Sequence, residues 1–295
     1  MPIRVRITCP RSRVSGTRDD RRIERPRGGC SCRPLCRVTM NDVIISTHAV
    51  RKEFNGLVAV DNVDYEIREN ETAGIIGPNG AGKSTFFNLL TGYFIPDAGT
   101  INYFGREITR MPSYHRVDLG IVRTFQLVSV LDNLTVLENI MLARIRFDAT
   151  YRVRKRFFLK SLLASSEVDL CMSSLDTIGI ADKANVRVSE LSYGKKRELE
   201  IAIALVMNPK LLLLDEPLAG LSMFEINEIM GIIRALKGRF TIVLVEHKIS
   251  QIMDLVEKLH VMHEGQVICC GEPNQVICDP AVQECYFGKE DAVCY

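Results

Sequence analysis

Residues 72–90 read Thr-Ala-Gly-Ile-Ile-Gly-Pro-Asn-Gly-Ala-Gly-Lys-Ser-Thr-Phe-Phe-Asn-Leu-Leu, and this stretch decides the fold. Thr72–Ile76 is a short apolar run that stops at Gly77-Pro78, which predicts a buried strand closed by a turn. Lys83–Leu90 has helical composition and stops near Gly92. Between them, Gly77, Pro78, Asn79, Gly80, Ala81, Gly82, Lys83, Ser84 and Thr85 fit G-x-x-x-x-G-K-S/T, in the strand-to-helix context that this pattern requires. Glycines at 77, 80 and 82 let the backbone curl so that successive N–H groups converge on one anion. The helix that follows adds its positive N-terminus. Lys83 supplies a point charge for β- and γ-phosphates, and the Ser84 hydroxyl is a ligand type that suits Mg²⁺.

Outward from this loop, strands and helices alternate. Val43–Ser46, Val58–Ile67, Gly99–Phe104, Leu119–Phe125, Lys210–Leu214 and Thr241–Val245 read as strands, with Asp61-Asn62 a local turn or bulge,. Leu134–Phe147, Tyr151–Leu163, Asp176–Ile180, Glu198–Met207 and Met223–Leu236 read as helical, and Val261–Cys269 as a hairpin about Glu264-Gly265,. Such alternation implies an α/β fold with a mainly parallel sheet and helices on its faces. The helical block from about 130 to 190 interrupts it, so a separate lobe is expected there.

Four further stretches carry chemistry. Leu211-Leu-Leu-Leu-Asp215-Glu216-Pro217 puts two carboxylates at the C-terminal end of a buried strand, where ligands sit in open α/β sheets. Asp215 suits Mg²⁺ through water, and Glu216 suits the task of orienting and deprotonating an attacking water. Adjacent strand residues face opposite sides, so the two acids need not share a role. Thr241–Val245 leads to Glu246-His247, whose imidazole can hydrogen-bond a phosphate and the water,. Gln126 ends the strand 119–125 and could offer an oxygen to Mg²⁺ and a mobile link to the helical block. Leu191-Ser192-Tyr193-Gly194-Lys195 heads the helix Glu198–Met207, and a helix N-terminus opened by Ser and Gly is a second anion site.

The 295 residues are 46% hydrophobic and 25% charged, an ordinary globular composition. No apolar run approaches the roughly 18 residues of a membrane span. The net charge of +2 hides an asymmetry: residues 1–39 carry 11 Arg and three acids, a surplus of +8, and the rest carries −6. That Arg-, Gly-, Pro- and Ser-rich tail has no hydrophobic periodicity, so disorder is expected. Ordered patterning begins at Met40; a chain truly starting there, with 1–39 an upstream extension, is the expectation, and an Arg-rich transit peptide the alternative. Of ten cysteines, Cys9, Cys30, Cys32 and Cys36 lie in the tail without the C-x₂-C pairs of zinc sites,. The others are expected to be reduced thiols.

The five motifs, in this order and spacing, resemble the nucleotide-binding subunit of an ABC transporter: Walker A at 77–85, Q-loop at Gln126, signature at Leu191–Lys195, Walker B at 211–216 and H-loop at His247. The resemblance covers about residues 42–288. Lys52-Glu-Phe54-Asn-Gly56-Leu-Val-Ala-Val60-Asp, Val122-Arg-Thr-Phe-Gln126, Leu134-Thr-Val-Leu-Glu-Asn139, Ala219-Gly-Leu221 and Tyr286-Phe-Gly narrow it to the branched-chain amino acid importers. It implies a P-loop ABC cassette with a parallel core sheet, an antiparallel β subdomain and a helical lobe. It also implies ATP and Mg²⁺ as cofactors, the metal held by Ser84, Gln126 and Asp215, and catalysis by Glu216, His247 and Gln126. Phe54 would stack on adenine. A second ATPase subunit would present Ser192 and Gly194 to the γ-phosphate in trans. Transmembrane permeases would dock near Gln126 and the helical lobe, with a solute-binding protein beyond them, and the chain would lie peripherally on the cytoplasmic face. The general signature is Leu-Ser-Gly-Gly-Gln, from which Tyr193 and Lys195 depart, and Ser222 stands where the following D-loop has Asp. Lipid or lipopolysaccharide export is an alternative use of such a cassette. So is a soluble ABC ATPase acting on nucleic acid or ribosomes, although one cassette with a short helical lobe argues against it and no specific nucleic acid is expected.

Overall fold

The computed structural model describes residues 43–124, 129–147, 165–247 and 249–287. The tail 1–39 with its four cysteines, Gln126, the basic stretch 151–163 and Cys294 lie outside the described residues.

The described residues open with two long antiparallel strands, β1 (Val43–Phe54) and β2 (Leu57–Arg68). The Asp61-Asn62 signal is a bulge within β2: Val60 faces Lys52 and Val63 faces Val50, and Asn62 has a φ of 56°. Then come β3 (Thr72–Ile76), α1 (Lys83–Leu90), β4 (Ala98–Tyr103), β5 (Arg106–Glu107), α2 (Ser113–Asp118) and β6 (Ile121–Arg123). Helices α3 (Val136–Phe147), α4 (Ser165–Ile178) and α5 (Tyr193–Val206) follow. The C-terminal part alternates β7 (Leu211–Asp215), α6 (Met223–Leu236), β8 (Thr241–Glu246), α7 (Ile249–Ile252), β9 (Lys258–His263) and β10 (Gln266–Gly271), and ends in α8 (Pro273–Ile277) and α9 (Pro280–Phe287).

Among the described residues the strands form two sheets. One is antiparallel, in the order β2-β1-β4-β5. The other has six strands in the order β10-β9-β3-β8-β7-β6, parallel except for the β9–β10 hairpin. Its central strands are covered on both faces, which is why β3, β7 and β8 read as unbroken apolar runs,. The two-residue period of a strand divides their side chains. Leu211, Leu213, Val243 and Val245 join α1 and the antiparallel sheet in one core. Leu212, Leu214, Ile242 and Leu244 join α5 and α6 in the other. Val136 and Ile140 of α3 and Cys171 and Leu175 of α4 belong to that second core as well, so the helical block rests on the sheet through α5.

Helix α5 starts at Tyr193, five residues before the expected Glu198, because Ser192 caps it by accepting the Lys195 N–H at 3.3 Å,. The strand expected over 119–125 covers only 121–123, after a turn at Gly120 with a φ of 94°. The short helix α2 is a further difference. Its Arg116 is wholly buried and donates to five carbonyls: Leu89 and Leu90 at the end of α1, and Ile108, Thr109 and Met111.

Candidate active site

The C-terminal ends of β3, β7 and β8 bring three of the sequence motifs together. After β3 the chain wraps through Gly77–Gly82 into α1. Gly82 is the N-cap with a φ of 96°, and a Cβ there would lie 2.2 Å from the Ala59 carbonyl. A Cβ on Gly77 would lie 2.2 Å from the Met262 carbonyl. These contacts, rather than turn geometry alone, demand glycine at 77 and 82. Lys83 is buried, its Nζ donating to the Gly77 and Pro78 carbonyls at 2.7 and 2.9 Å. Burial lowers its pKa, and the charges of Glu216 and Asp215 act against that shift. Asn79, Gly80 and Ser84 are exposed at the mouth of the loop.

Asp215 ends β7 almost wholly buried. Its Oδ2 accepts from Arg123 Nη2 at 2.5 Å, and its Oδ1 is buried with no hydrogen-bond partner among the described residues. The next residue turns out of the strand: Glu216 has a φ of 48°, in the left-handed region,. Its N–H donates to the Val245 carbonyl at 3.0 Å and its carbonyl accepts from Arg197 Nη2 at 2.9 Å, which hold the turn. Its Oε1 lies 2.6 Å from His247 Nε2, and His247 Nδ1 lies 3.5 Å from Lys83 Nζ. Lys83, Glu216 and His247 thus form one connected group. Beneath them, burial above all pushes the Glu246 carboxyl up to about 7 while its Oε1 accepts the Leu218 N–H at 2.9 Å.

Phe54 ends β1 partly exposed, with an edge-to-face contact to Phe94 at 5.1 Å and the Lys52 ammonium 5.4 Å from its ring. Ser192 and Gly194 stand at the N-terminus of α5, and Gly194 N–H donates to Glu225 Oε1 at 3.1 Å. Lys195, which stands where the general signature has Gln, is committed within the fold. Its Nζ is bound by Glu198 and Glu228 at 2.8 and 3.0 Å, so it ties α5 to α6.

Three residues escaped the sequence reading. Arg123 holds Asp215, Glu225 binds Gly194 and forms a capping box with Ser222, and Arg197 holds Glu216. The Ser-x-x-Glu spacing at 222–225 was the one signal available. A groove of about 1010 Å³ lies between α1, α2, α3 and α5, with Asn88, Tyr114, Arg123, Leu131, Asn139 and Glu200 among its walls.

A glycine-rich loop gripping its own lysine, two acids at one strand end and a histidine after the next that meets the second acid define a P-loop nucleotide-binding cassette. Comparison agrees with this class. The ABC transporter family pattern matches residues 60–219. The high-affinity branched-chain amino acid transport ATP-binding protein LivG of Salmonella typhimurium is 36% identical over 260 residues, covering 85% of this chain and all of LivG. BraF of Pseudomonas aeruginosa, of the same description, is 32% identical over 254 residues, covering 85% of this chain and all of BraF. The crystal structure of an ABC transporter cassette in its ADP conformation superposes with a TM-score of 0.74 at 31% identity, covering 84% of this chain and 99% of the other. The chain belongs to the ABC transporter family of ATP-binding cassettes, and is an ATPase.

Proposed function

We propose that this chain powers import of branched-chain amino acids or related small solutes through separate membrane permeases. The observation that carries the reading is the Lys83–His247–Glu216 group in a chain that matches amino acid transport ATP-binding proteins over the whole of their length. The loop Gly77–Thr85 binds the triphosphate, Phe54 packs on adenine, and Lys83 leaves its loop carbonyls for the β- and γ-oxygens. Glu216 takes a proton from water as that oxygen bonds to the γ-phosphorus and the bond to the β,γ-bridging oxygen breaks, releasing ADP and phosphate. His247 fixes the Glu216 carboxylate and hydrogen-bonds the γ-phosphate.

Asp215 fits a magnesium site, because its Oδ1 is buried and uncommitted, an acceptor awaiting a donor such as a metal-bound water,. Ser84, Asp215 and Gln126 would hold the ion. When bound, Mg²⁺ neutralises charge on the β,γ-oxygens.

A second ATPase subunit completes the site head-to-tail, Ser192 and Gly194 meeting the γ-phosphate in trans. Gly194 N–H then exchanges Glu225 for phosphate. The groove by α2 and α3 receives a permease segment. No helix among the described residues is long and apolar enough to cross a membrane, so the chain associates peripherally, and the permeases take solute from a binding protein.

The test is uptake of radiolabelled leucine, delivered on the solute-binding protein, by proteoliposomes holding the permeases and both ATPase subunits. ATP-dependent uptake is expected from the wild type and none from Glu216→Gln, which still binds ATP. Lys83→Ala should lose nucleotide binding. Equal uptake by wild type and Glu216→Gln would refute the assigned base, and hydrolysis without leucine uptake would refute the solute.

A further inference from the structure

The Asp215 carboxylate does not stand alone at the end of β7. Arg123 comes from the neighbouring parallel strand β6, where Arg123 pairs in register with Leu213. From there its guanidinium reaches three ways. Nη2 donates to Asp215 Oδ2 at 2.5 Å, Nη1 donates to Asn88 Oδ1 at 2.6 Å, and the group lies 5.6 Å from the Phe87 ring centre. Asn88 and Phe87 belong to α1, the helix that the phosphate loop opens. One side chain therefore ties the acid of β7 to the helix of the loop, and it does so nearly buried, at 12% exposure against 2% for Asp215.

The exposed remainder of Arg123 and Asn88 forms part of the groove wall, beside Tyr114, Val117 and Asp118 of α2. The groove and the acid thus meet at the same guanidinium. A planar fork that commits one carboxylate oxygen leaves the other as the sole acceptor, and here that other oxygen, Oδ1, is the orphaned one.

We propose that Arg123 is the positioning residue for the magnesium site, fixing Asp215 so that Oδ1 faces the metal's water, and that it links metal occupancy to the groove. This rests on the nucleotide-site reading above and goes beyond it in naming the side chain through which the groove acts on the metal. Linkage then works in both directions: what moves Arg123 from the groove alters metal affinity, and metal binding alters the groove.

Mn²⁺ serves as the probe, because carboxylate and water ligands suit it as they suit Mg²⁺. Free Mn²⁺ is counted by electron paramagnetic resonance during titration of the full chain with a non-hydrolysable ATP analogue. Arg123→Gln is expected to weaken Mn²⁺ binding about tenfold, the usual range for losing a partner that orients a metal ligand, while metal-free affinity for the analogue stays within twofold. Arg123→Lys keeps a cation on Asp215 without the planar fork and should fall between. In parallel, hydrogen exchange across Ser113–Arg123 should slow when Mn²⁺ joins the analogue in wild type, and not in Arg123→Gln. Wild-type Mn²⁺ affinity in the Gln variant overturns the proposal, and if that variant does not fold, wild-type affinity in the Lys variant does so. An equal exchange response in variant and wild type overturns the link to the groove. Failure of wild type to bind the analogue would instead sink the nucleotide site itself.

Discussion

Arg116 offers a test of how the loop helix is anchored, through Arg116→Met. All five guanidinium N–H groups are spent on carbonyls, at 2.7 to 3.1 Å,. Two of those carbonyls, Leu89 and Leu90, are at the end of α1, where helical acceptors lack intrahelical donors and a cation is favoured. Gly92 is fitted to the same group, since a Cβ there would lie 2.6 Å from Arg116 Nε. Methionine keeps the apolar stem and deletes every donor. Five hydrogen bonds at about 1 kcal/mol each give a gross loss near 5 kcal/mol. Against it stands the cost of burying the charge, seen in a pKa pulled down to about 10 by burial. Each buried acceptor left without a donor costs ~1–3 kcal/mol, and a net loss of about 3 kcal/mol is expected because relief of the buried charge and water at the α1 end offset part of the total. For a domain of this size that is a fall of roughly 10 °C in Tm. Urea unfolding followed by circular dichroism at pH 7.5 measures it, with unchanged slope as the check on two-state behaviour. Nucleotide affinity of the folded variant should stay near wild type, because the phosphate loop is at the other end of α1. A destabilisation under about 1 kcal/mol would show that the carbonyls are indifferent to the guanidinium.

Glu246→Gln should change the pH dependence of stability. With its carboxyl raised from 4.5 to about 7 in the fold, the native state holds a proton that the unfolded chain has released, so stability falls as pH rises between those values. The Gln variant should match wild type near pH 5 and exceed it by ~2–3 kcal/mol at pH 8; parallel urea midpoints from pH 5 to 8 would contradict this. Lys195→Gln, which restores the general signature residue, should cost ~1–3 kcal/mol by leaving nearly buried Glu198 without its cation,, and Lys195→Gln/Glu198→Gln should recover most of it. A double-mutant cycle with no coupling would refute the latch. Gly77→Ala and Gly80→Ala separate two kinds of glycine. Gly80 has open space and a φ of 81°, so Ala should cost only ~1–2 kcal/mol of backbone strain,. Gly77→Ala pushes into the Met262 carbonyl and should abolish nucleotide binding, and equal binding by both variants would contradict the packing argument.

What could be read from the sequence follows from how each part is buried. Strands β3, β7 and β8 are enclosed on both faces, so their apolar runs announced them and placed Asp215, Glu216 and His247 at strand ends. The loop announced itself by glycine spacing. Helix α2 was illegible because it has fewer than two turns and is anchored by a buried arginine, which in a sequence reads as surface. Arg123 was hidden for the same reason: an arginine at the last residue of a strand reads as solvated, and here it is nearly buried. The partners of Lys195 were not legible, because one lies three residues on in its own helix and the other in α6, 33 positions away.

The pairing of Asp215 with Glu216 shows how two adjacent acids come to hold different surroundings. Within β7, alternate faces would send them apart but leave Glu216 pointing into the apolar core. The left-handed φ at Glu216 swings it instead toward His247, at a backbone cost of ~1–2 kcal/mol. That conformation persists because its surroundings over-determine it. Val245 holds the N–H, Arg197 holds the carbonyl, and Arg197 is itself braced by Glu200 at 2.7 Å. Glu200 in turn accepts the Ser129 N–H at 2.7 Å and lines the groove. Both acids are therefore tethered to the groove by separate arginines, Asp215 through Arg123 and Glu216 through Arg197. A permease segment docking there, as proposed above, would press on Asp215 and Glu216 together, and a groove that reaches both acids suits the coupling of transport to hydrolysis.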